Sequence, residues 1–242
     1  MKMKSVADKI LALIPARSGS KTVKDKNIKT VGGIPLIAWT IRSAKESRHI
    51  DRILVSTDSG KYASISRRFG AETPFLRPGR ISGDKTPVIE VIRHCLTYLA
   101  DEENYRPAIV ILLQPTSPFR SSGDIDRAIR LYKNSKADTL VSVSEVPAHF
   151  NRPWQLSVTR DNNLTTARGE NLNKLPTRKQ DIRPAYYRDG EIYIFKSSDI
   201  LNKNKLYGAK VIPFIHNDAP TVNIDTQSEL EYARYLAEHR FK

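Results

Sequence analysis

Cysteine is almost absent from this chain. Cys95 is the single cysteine in 242 residues, which excludes an internal disulfide and a cysteine metal cluster. So little cysteine suits a reducing compartment, and we expect the protein to be cytoplasmic. Cys95 follows Val91 and Ile92 at helical spacing, which indicates a hydrophobic core position and not a catalytic thiol.

Long hydrophobic runs are missing as well. No apolar stretch approaches the roughly 18 residues of a membrane-spanning helix, so we expect no membrane partner. The N-terminal segment MKMKSVADKI is charged and lacks an apolar region, so it does not resemble a signal peptide. The P-loop and dinucleotide fingerprints do not occur either, and none of the 5 histidines lies in a context that indicates catalysis.

Positive charge is what the chain has in excess. Its 40 Lys and Arg residues against 26 Asp and Glu give a net charge of +14. Such an excess attracts nucleic acid, an anionic surface or small anionic substrates. The basic residues are spread along the chain, without zinc-finger spacing or an aromatic RNA-binding signature, so nucleic acid remains only an alternative.

Buried-strand patterns alternate with helical patterns over the first 144 residues. Apolar runs of strand length begin at Ile10, Ile53, Ile109 and Thr139, and helical spacing recurs at 35–47, 60–69, from about Thr86 and from Gly123. This alternation predicts a three-layer α/β fold, with a mostly parallel sheet and helices on both faces.

A polar stretch rich in Pro, Asn and Arg interrupts the pattern at about 145–189. Its segment 155–158 could pair as a hairpin, and an excursion of this length is usually a lid, a binding loop or an interaction lobe. The sheet resumes at Glu191 and Lys210, and residues 226–229 fit a capping box that opens a last helix. We therefore expect one domain over 1–242 with an inserted lobe at about 145–189.

Polar residues follow four predicted strands, where open α/β sheets bind their ligands. They lie at 17–26, 57–58, 114–117 and 223–225. The first loop is basic and contains Gly19, whose backbone could approach an anion closely, so it predicts a phosphate site; a solvated basic loop is the alternative. Asp225 supplies the hard oxygen ligand that Mg²⁺ needs, whereas Asp58 is either a second metal contact or, as we prefer, a helix cap.

The stretches IPARSGSKTVKDKNI (14–28) and LLQPTSPFR (112–120) together resemble the CMP-acylneuraminate synthetases, the cytidylyltransferases that activate sialic acid and related nine-carbon sugar acids. The likeness extends along nearly the whole chain, through VSTDS (55–59), Arg77-Pro78 with Ser82 and Asp84, 178–195 and 223–233. Enzymes for the eight-carbon acid of lipopolysaccharide carry a different loop, closer to IPARYASTRLPGK.

This resemblance implies a Rossmann-like domain with a small extended lobe, which two subunits of a homodimer exchange. It also implies Mg²⁺ and a reaction in which the anomeric hydroxyl of the sugar acid attacks the α-phosphorus of CTP, giving the CMP-sugar and pyrophosphate. The implied catalytic residues are Arg17, Lys21, Gln114 and Asp225. Nucleotide contacts are implied for Ala16, Arg17, Ser20, Lys26, Asn27, Arg77 and Ser82. Sugar contacts are implied for Gln114, Thr116, Ser117, Arg178 and Gln180.

The metal site departs from the family pattern. Asp225 is the implied metal ligand together with Asn223, where the family usually has a second Asp. An amide oxygen brings no charge, which predicts weaker metal binding or the loss of a second metal. The sequence does not decide whether the sugar is sialic, legionaminic or pseudaminic acid. Two other functions also stay open: a nucleotidyltransferase that uses another base or another sugar, and a basic nucleic-acid-binding protein without catalysis.

Overall fold

A computed structural model describes residues 9–216 and 222–240. Residues 1–8 lie outside this part of the chain, so the prediction that the N-terminal segment is not a signal peptide falls mostly on residues that the structure does not describe. The described residues form two compact units: Val143–Arg188 make the smaller one, and the residues before and after them make the larger one. None of the described helices is long and apolar enough to cross a membrane.

A six-stranded sheet forms the centre of the larger unit. Its strands are β1 (Ile10–Pro15), β4 (Arg52–Ser56), β5 (Ile109–Leu113), β6 (Thr139–Glu145), β9 (Tyr186–Lys196) and β10 (Val211–Ile215). Their order is β10-β6-β9-β5-β1-β4, with β1 parallel to both β4 and β5. β9 pairs antiparallel with β5, because the chain reaches β9 through the excursion and not through a crossover helix.

Helices cover both faces of this sheet. They are α1 (Leu36–Glu46), α2 (Gly60–Arg68), α3 (Val88–Glu102), α4 (Ser122–Ser135), α5 (Ser197–Lys203) and α6 (Gln227–His239). Successive residues of β1 point to opposite faces. Ile10 and Ile14 pack in one core with α1, α2 and α4, whereas Leu11 and Leu13 pack in the other with α3 and α5. The predicted three-layer, mostly parallel α/β fold is therefore confirmed.

The predicted core position of Cys95 is confirmed, since it is 0% exposed in α3. Burial raises the pKa of its thiol, so Cys95 stays protonated and unreactive. The predicted capping box also forms: the Thr226 hydroxyl accepts from the Glu229 backbone, and the Glu229 side chain accepts from the Thr226 backbone.

The elements that were not predicted from the sequence include α5 and a short hairpin of β2 (Thr30–Val31) and β3 (Ile34–Pro35). Gly32 and Gly33 form the two-residue turn of the hairpin, and both have positive φ, as a type I′ turn requires. The hairpin packs against α6, so the segment that leads into α6 is held beside the loop after β1.

The smaller unit contains the hairpin predicted within the excursion. β7 (Leu156–Val158) pairs antiparallel with β8 (Leu164–Thr166). Several large apolar side chains of this unit are exposed: Phe150 by 62%, Val158 by 66% and Leu164 by 53%.

Candidate active site

A cleft of about 250 Å³ lies at the carboxyl ends of β1 and β5. We call it the strand-end cleft. Nine of the residues implied by the resemblance line it: Arg17, Ser20, Lys26, Asn27, Arg77, Ser82, Gln114, Thr116 and Asp225. Residues more than 200 positions apart thus meet where strands of an open α/β sheet end, which is where such sheets place their ligands.

The loop after β1 is fixed by polar contacts to the end of β4. The backbone nitrogen of Ser18 donates to Asp58 at 2.8 Å, and the Ser18 hydroxyl donates to the same carboxylate at 2.9 Å. The Asn27 side chain closes the loop by donating to the carbonyl of Arg17 at 3.1 Å. These bonds hold the basic side chains of the loop toward the strand-end cleft.

The prediction that Asp58 caps a helix is wrong. Ser59 is the N-cap of α2, and its hydroxyl accepts from the backbone nitrogen of Tyr62 at 3.4 Å. Asp58 is occupied by Ser18 instead, because the loop after β1 brings two donors within reach of its carboxylate.

Gly19 does not adopt the backbone conformation that would require glycine. Its φ is not positive, and an added Cβ would meet only the Arg17 guanidinium at 3.7 Å. The Gly19 carbonyl accepts from Arg17 at 2.8 Å. The left-handed residue of this loop is Asp25, with φ 57°, and Asp25 accepts from the Tyr62 hydroxyl at 3.1 Å.

One carboxylate, Asp84, pairs with two basic residues of the loop. It forms an ion pair with Arg17 and another with Lys21, at 2.6 Å from the Lys21 ammonium. Lys21 and then Arg17 hold the pKa of Asp84 below its usual value. Asp84 lines the strand-end cleft, whereas Lys21 itself does not and its side chain is 82% exposed. Sequence reasoning gave Asp84 no role, although an acid two residues after Ser82 was visible.

Lys26 and Asp225 form the second ion pair of the strand-end cleft. The Lys26 ammonium lies 2.7 Å from Asp225 and also donates to the carbonyl of Ile224 at 2.6 Å. The Asn223 amide nitrogen donates to the other oxygen of Asp225 at 2.9 Å. Asp225 is 62% exposed at its side chain, so a metal ion could reach it. No cluster of three metal-binding side chains occurs among the described residues, so substrate oxygens would have to complete a metal site.

Arg77 is a buried cation at the cleft wall. It is 6% exposed, and two of its guanidinium nitrogens, Nε and Nη2, have no hydrogen-bond partner among the described residues. Burial lowers the pKa of Arg77, against the attraction of Asp58. Its backbone nitrogen donates to the Thr57 carbonyl at 2.7 Å, which ties this loop to the end of β4. A buried guanidinium in this state favours a ligand with an acceptor atom.

Arg120 lies beneath the turn that carries Gln114. It is 3% exposed and donates to the Glu191 carbonyl at 2.7 Å and to the Thr40 hydroxyl at 3.0 Å, with longer contacts to the Gln114 carbonyl. Burial lowers the pKa of Arg120 to about 10. Arg120 therefore joins α1, β9 and the Gln114 turn, a role that the sequence motif alone did not indicate.

Glu191 and His216 form a buried pair beside Arg120. The His216 Nε2 lies 3.3 Å from the Glu191 carboxylate, and both side chains are nearly inaccessible. Burial raises the pKa of Glu191 to about 8, despite the opposing effect of Arg120, and burial lowers the pKa of His216. Burial therefore favours the protonated form of Glu191.

Several implied residues do not line the strand-end cleft. Ala16 is 0% exposed, and its nitrogen donates to the Ser56 carbonyl at 2.9 Å, so it contributes to the sheet edge. Ser117 is 1% exposed inside the turn after β5, and Asn223 reaches the cleft only through Asp225. Arg178 and Gln180 belong to the smaller unit, where Arg178 pairs with Asp181 at 3.0 Å. The apolar cleft residues Ile81, Val88 and Val91 were not predicted.

Comparisons with known proteins agree on one family. The cytidylyltransferase family model matches residues 11–241. An N-acylneuraminate cytidylyltransferase of Escherichia coli O18:K1:H7 is 33% identical, over 93% of this chain and 51% of that protein, so the chain spans about half the length of this relative. A CMP-N,N'-diacetyllegionaminic acid synthase of Legionella pneumophila is 32% identical, over 95% of this chain and 97% of that protein.

Solved structures support the fold. A CMP:2-keto-3-deoxy-manno-octonic acid synthetase complexed with CTP matches with a TM-score of 0.69 and 16% identity, over 95% of this chain and 98% of that chain. The family model matches nearly the whole chain by its sequence, so the relationship does not rest on the fold alone. This chain belongs to the cytidylyltransferase family.

Proposed function

We propose that the protein activates a nine-carbon acidic sugar of the nonulosonic type with CTP, releasing pyrophosphate. The observation that carries this proposal is the convergence of Arg17, Lys26, Arg77, Gln114 and Asp225 on one cleft. Relatives named for N-acylneuraminate and for diacetyllegionaminic acid support the sugar class.

The basic residues suit the triphosphate of CTP. Nucleotidyl transfer requires mainly positioning of the reacting atoms and neutralisation of the charge on phosphorus and on the leaving pyrophosphate. Arg17, Lys21 and Lys26 already balance carboxylates in this region, so they can exchange these carboxylates for phosphate oxygens. Both substrates are anions, and the net charge of +14 would draw them toward the protein.

Arg77 and Ser82 would fix the cytidine. The two unpartnered nitrogens of Arg77 need an acceptor, and the carbonyl oxygen of cytosine can provide it. Ser82 lines the same wall of the strand-end cleft, with its hydroxyl now donating to the Pro78 carbonyl at 2.9 Å.

Mg²⁺ would bind at Asp225, with the amide oxygen of Asn223 and phosphate oxygens as further ligands. This donor set fits Mg²⁺, which is usually held by one or two carboxylates together with substrate phosphates. When bound, the metal neutralises charge that develops on the phosphates. Lys26 donates to one oxygen of Asp225, and Asn223 donates to the other oxygen. These two residues orient the carboxylate, and one of the two hydrogen bonds must break when Asp225 binds the metal.

Gln114 would orient the attacking hydroxyl at the α-phosphorus. It stands at the end of β5, in a turn supported from below by Arg120. The sugar carboxylate would be bound by Arg178 and Gln180 of the smaller unit. We further propose a homodimer in which this unit is exchanged, because pairing with a second chain would cover its exposed Phe150, Val158 and Leu164.

A pyrophosphate-release assay tests the function. CTP, UTP, ATP and GTP are each combined with sialic, legionaminic and pseudaminic acid in the presence of Mg²⁺. We expect turnover with CTP and at least one of the acids, and nearly none for Asp225→Asn. Turnover with another nucleotide, or with a simple sugar phosphate, would favour a different nucleotidyltransferase.

Binding without catalysis is the remaining alternative. It requires affinity for duplex or single-stranded nucleic acid that falls steeply with salt, and no metal-dependent turnover. Because Arg17 and Lys26 of the strand-end cleft are paired with Asp84 and Asp225, and Arg77 is buried, these cations do not form an open cationic stripe along a surface.

A further inference from the structure

A second and larger cavity, of about 760 Å³, lies where β5 begins, at the opposite end of this strand from the strand-end cleft. We call it the base cavity. Ile109, the first residue of β5, lines it, whereas Gln114 follows the last residue of β5 in the strand-end cleft. Five strand residues span roughly 17 Å, so the two cavities are separate places on the larger unit. Its volume lies within the range of small-molecule sites, about 300–1,000 Å³.

The walls of the base cavity are apolar. Leu96 and Ala100 of α3 contribute from one side, and Leu201 of α5 and Ile109 contribute further surface. Leu201 is 43% exposed, whereas its neighbour Ile200 packs in the core and is fully buried. An apolar body placed in the cavity would remove this surface from water, which is favourable.

Positive charge surrounds the same cavity. Arg106, Lys133, Lys136 and Lys196 line it, and no acidic residue is among the described residues of its lining. Lys196 pairs with Asp138 at 2.9 Å. The other three form no ion pair with any described residue, in contrast to Arg17 and Lys26 of the strand-end cleft.

A buried hydroxyl also lines the base cavity. Ser197 is 7% exposed, and its Oγ has no hydrogen-bond partner among the described residues. A buried hydroxyl without a partner is costly, and it can donate to an anionic oxygen that enters the cavity.

From these features we propose that the base cavity is a second ligand site, for a small soluble amphipathic anion. The apolar body would lie against Leu96, Ala100 and Leu201, and a single carboxylate, phosphate or sulfonate group would bind near Lys133, Lys136 and Arg106. A neutral apolar ligand would leave the cations unused, and a polyanion such as a nucleotide would leave the apolar wall unused. The site is independent of the proposed catalysis, since none of its lining residues lines the strand-end cleft.

Two fluorescent probes of matched shape test this proposal. 8-Anilino-1-naphthalenesulfonate carries a sulfonate, and N-phenyl-1-naphthylamine is its uncharged counterpart. We expect wild-type protein to bind the sulfonate at one saturable site per chain, more tightly than the uncharged probe, and decanoate but not CTP to displace it. Binding that CTP displaces, or equal affinity for both probes, would overturn the proposal.

Variants of the lining locate the site. Lys133→Gln combined with Lys136→Asn should weaken binding of the sulfonate by about tenfold while binding of the uncharged probe is unchanged. Asn suits position 136, whose backbone is left-handed with φ 53°. Lys61→Gln with Lys179→Gln removes the same charge from exposed lysines elsewhere and should change nothing. Leu201→Trp, which fills the cavity, should weaken both probes.

The same variants show whether the probes bind outside the base cavity. If the Lys133/Lys136 variant binds the sulfonate like wild type, or if Leu201→Trp has no effect on either probe, the ligand binds elsewhere and the proposal is wrong. Circular dichroism and thermal unfolding show whether each variant is folded, and Arg106→Gln replaces the double variant if that one is not. Binding to vesicles of anionic phospholipid without binding of the free sulfonate would assign the surface to lipid and overturn the proposal.

Discussion

Asp84→Asn should tighten the binding of CTP and of pyrophosphate. Asp84 pairs with Arg17 and Lys21, two cations that we assign to the triphosphate, and it lines the same cleft. A bound phosphate must therefore compete with this carboxylate for both cations. Asparagine keeps the size of the side chain but removes the negative charge, so its neutral amide oxygen competes much less with phosphate.

The magnitude follows from the exposure of the two pairs. The side chain of Asp84 is 31% exposed, that of Arg17 33% and that of Lys21 82%. An ion pair as exposed as these changes a binding constant by a factor of about two to five, and the more exposed Lys21 pair lies at the lower end of this range. We therefore expect the dissociation constant for pyrophosphate to fall by roughly three- to tenfold, and less at high salt.

Calorimetric titration with pyrophosphate and with CTP measures this change without any need for turnover. Asp101→Asn is the matched control, because it removes the same charge from an exposed position on α3, outside the residues that line the strand-end cleft. If Asp84 only held the loop in shape, Asp84→Asn would weaken binding, so the sign of the change decides. Unchanged or weaker binding would refute the reasoning, whereas a wild-type protein that binds neither ligand would refute the proposed function itself.

Three further predictions concern the support of the site. Arg120→Ala should lower the free energy of unfolding by about 2–5 kcal/mol, because it opens a cavity and removes the donor to the Glu191 carbonyl and to the Thr40 hydroxyl. Urea unfolding measures this loss, and a value below about 1 kcal/mol would contradict the role. Asn223→Asp should lower the Mg²⁺ concentration for half-maximal rate, and an unchanged metal titration would remove residue 223 from the metal. Glu191→Gln should flatten the pH dependence of stability. In the folded protein the pKa of Glu191 is about 8, whereas in the unfolded chain it is the ordinary 4.5. The unfolded chain therefore binds fewer protons between these two pH values, and the stability of the wild type falls as pH rises through them. Urea midpoints from pH 5 to 8.5 check this, and parallel profiles for wild type and variant would show that Glu191 is ionised.

Local patterns were sufficient for most of the secondary structure. The buried apolar runs of β1, β4 and β5, the helical spacing in α3 and the capping box at Thr226 are signals between near neighbours, and each was interpreted correctly. The strand-ending loops were also visible, because polar residues after apolar runs mark the carboxyl edge of a parallel sheet. The family and the cytidylyltransferase class followed from motifs, since these are contiguous.

What the sequence could not provide are contacts between distant residues. Asp58 was expected to cap α2, but the fold places Ser18 against it, 40 residues away. Asp84 was visible in the stretch that begins at Arg77, but its role as the partner of Arg17 and Lys21 follows only from the folded structure.

The sequence by itself thus determined the α/β class, the basic strand-end loop and the family. Only the tertiary structure decided which charges face one another in the strand-end cleft, that Arg120 supports Gln114, and that apolar and cationic residues of α3, α4 and α5 surround a second cavity. The physical reason is range: periodicity and capping act within a few residues, whereas ion pairs and cavities depend on side chains that only the packed sheet and helices bring together.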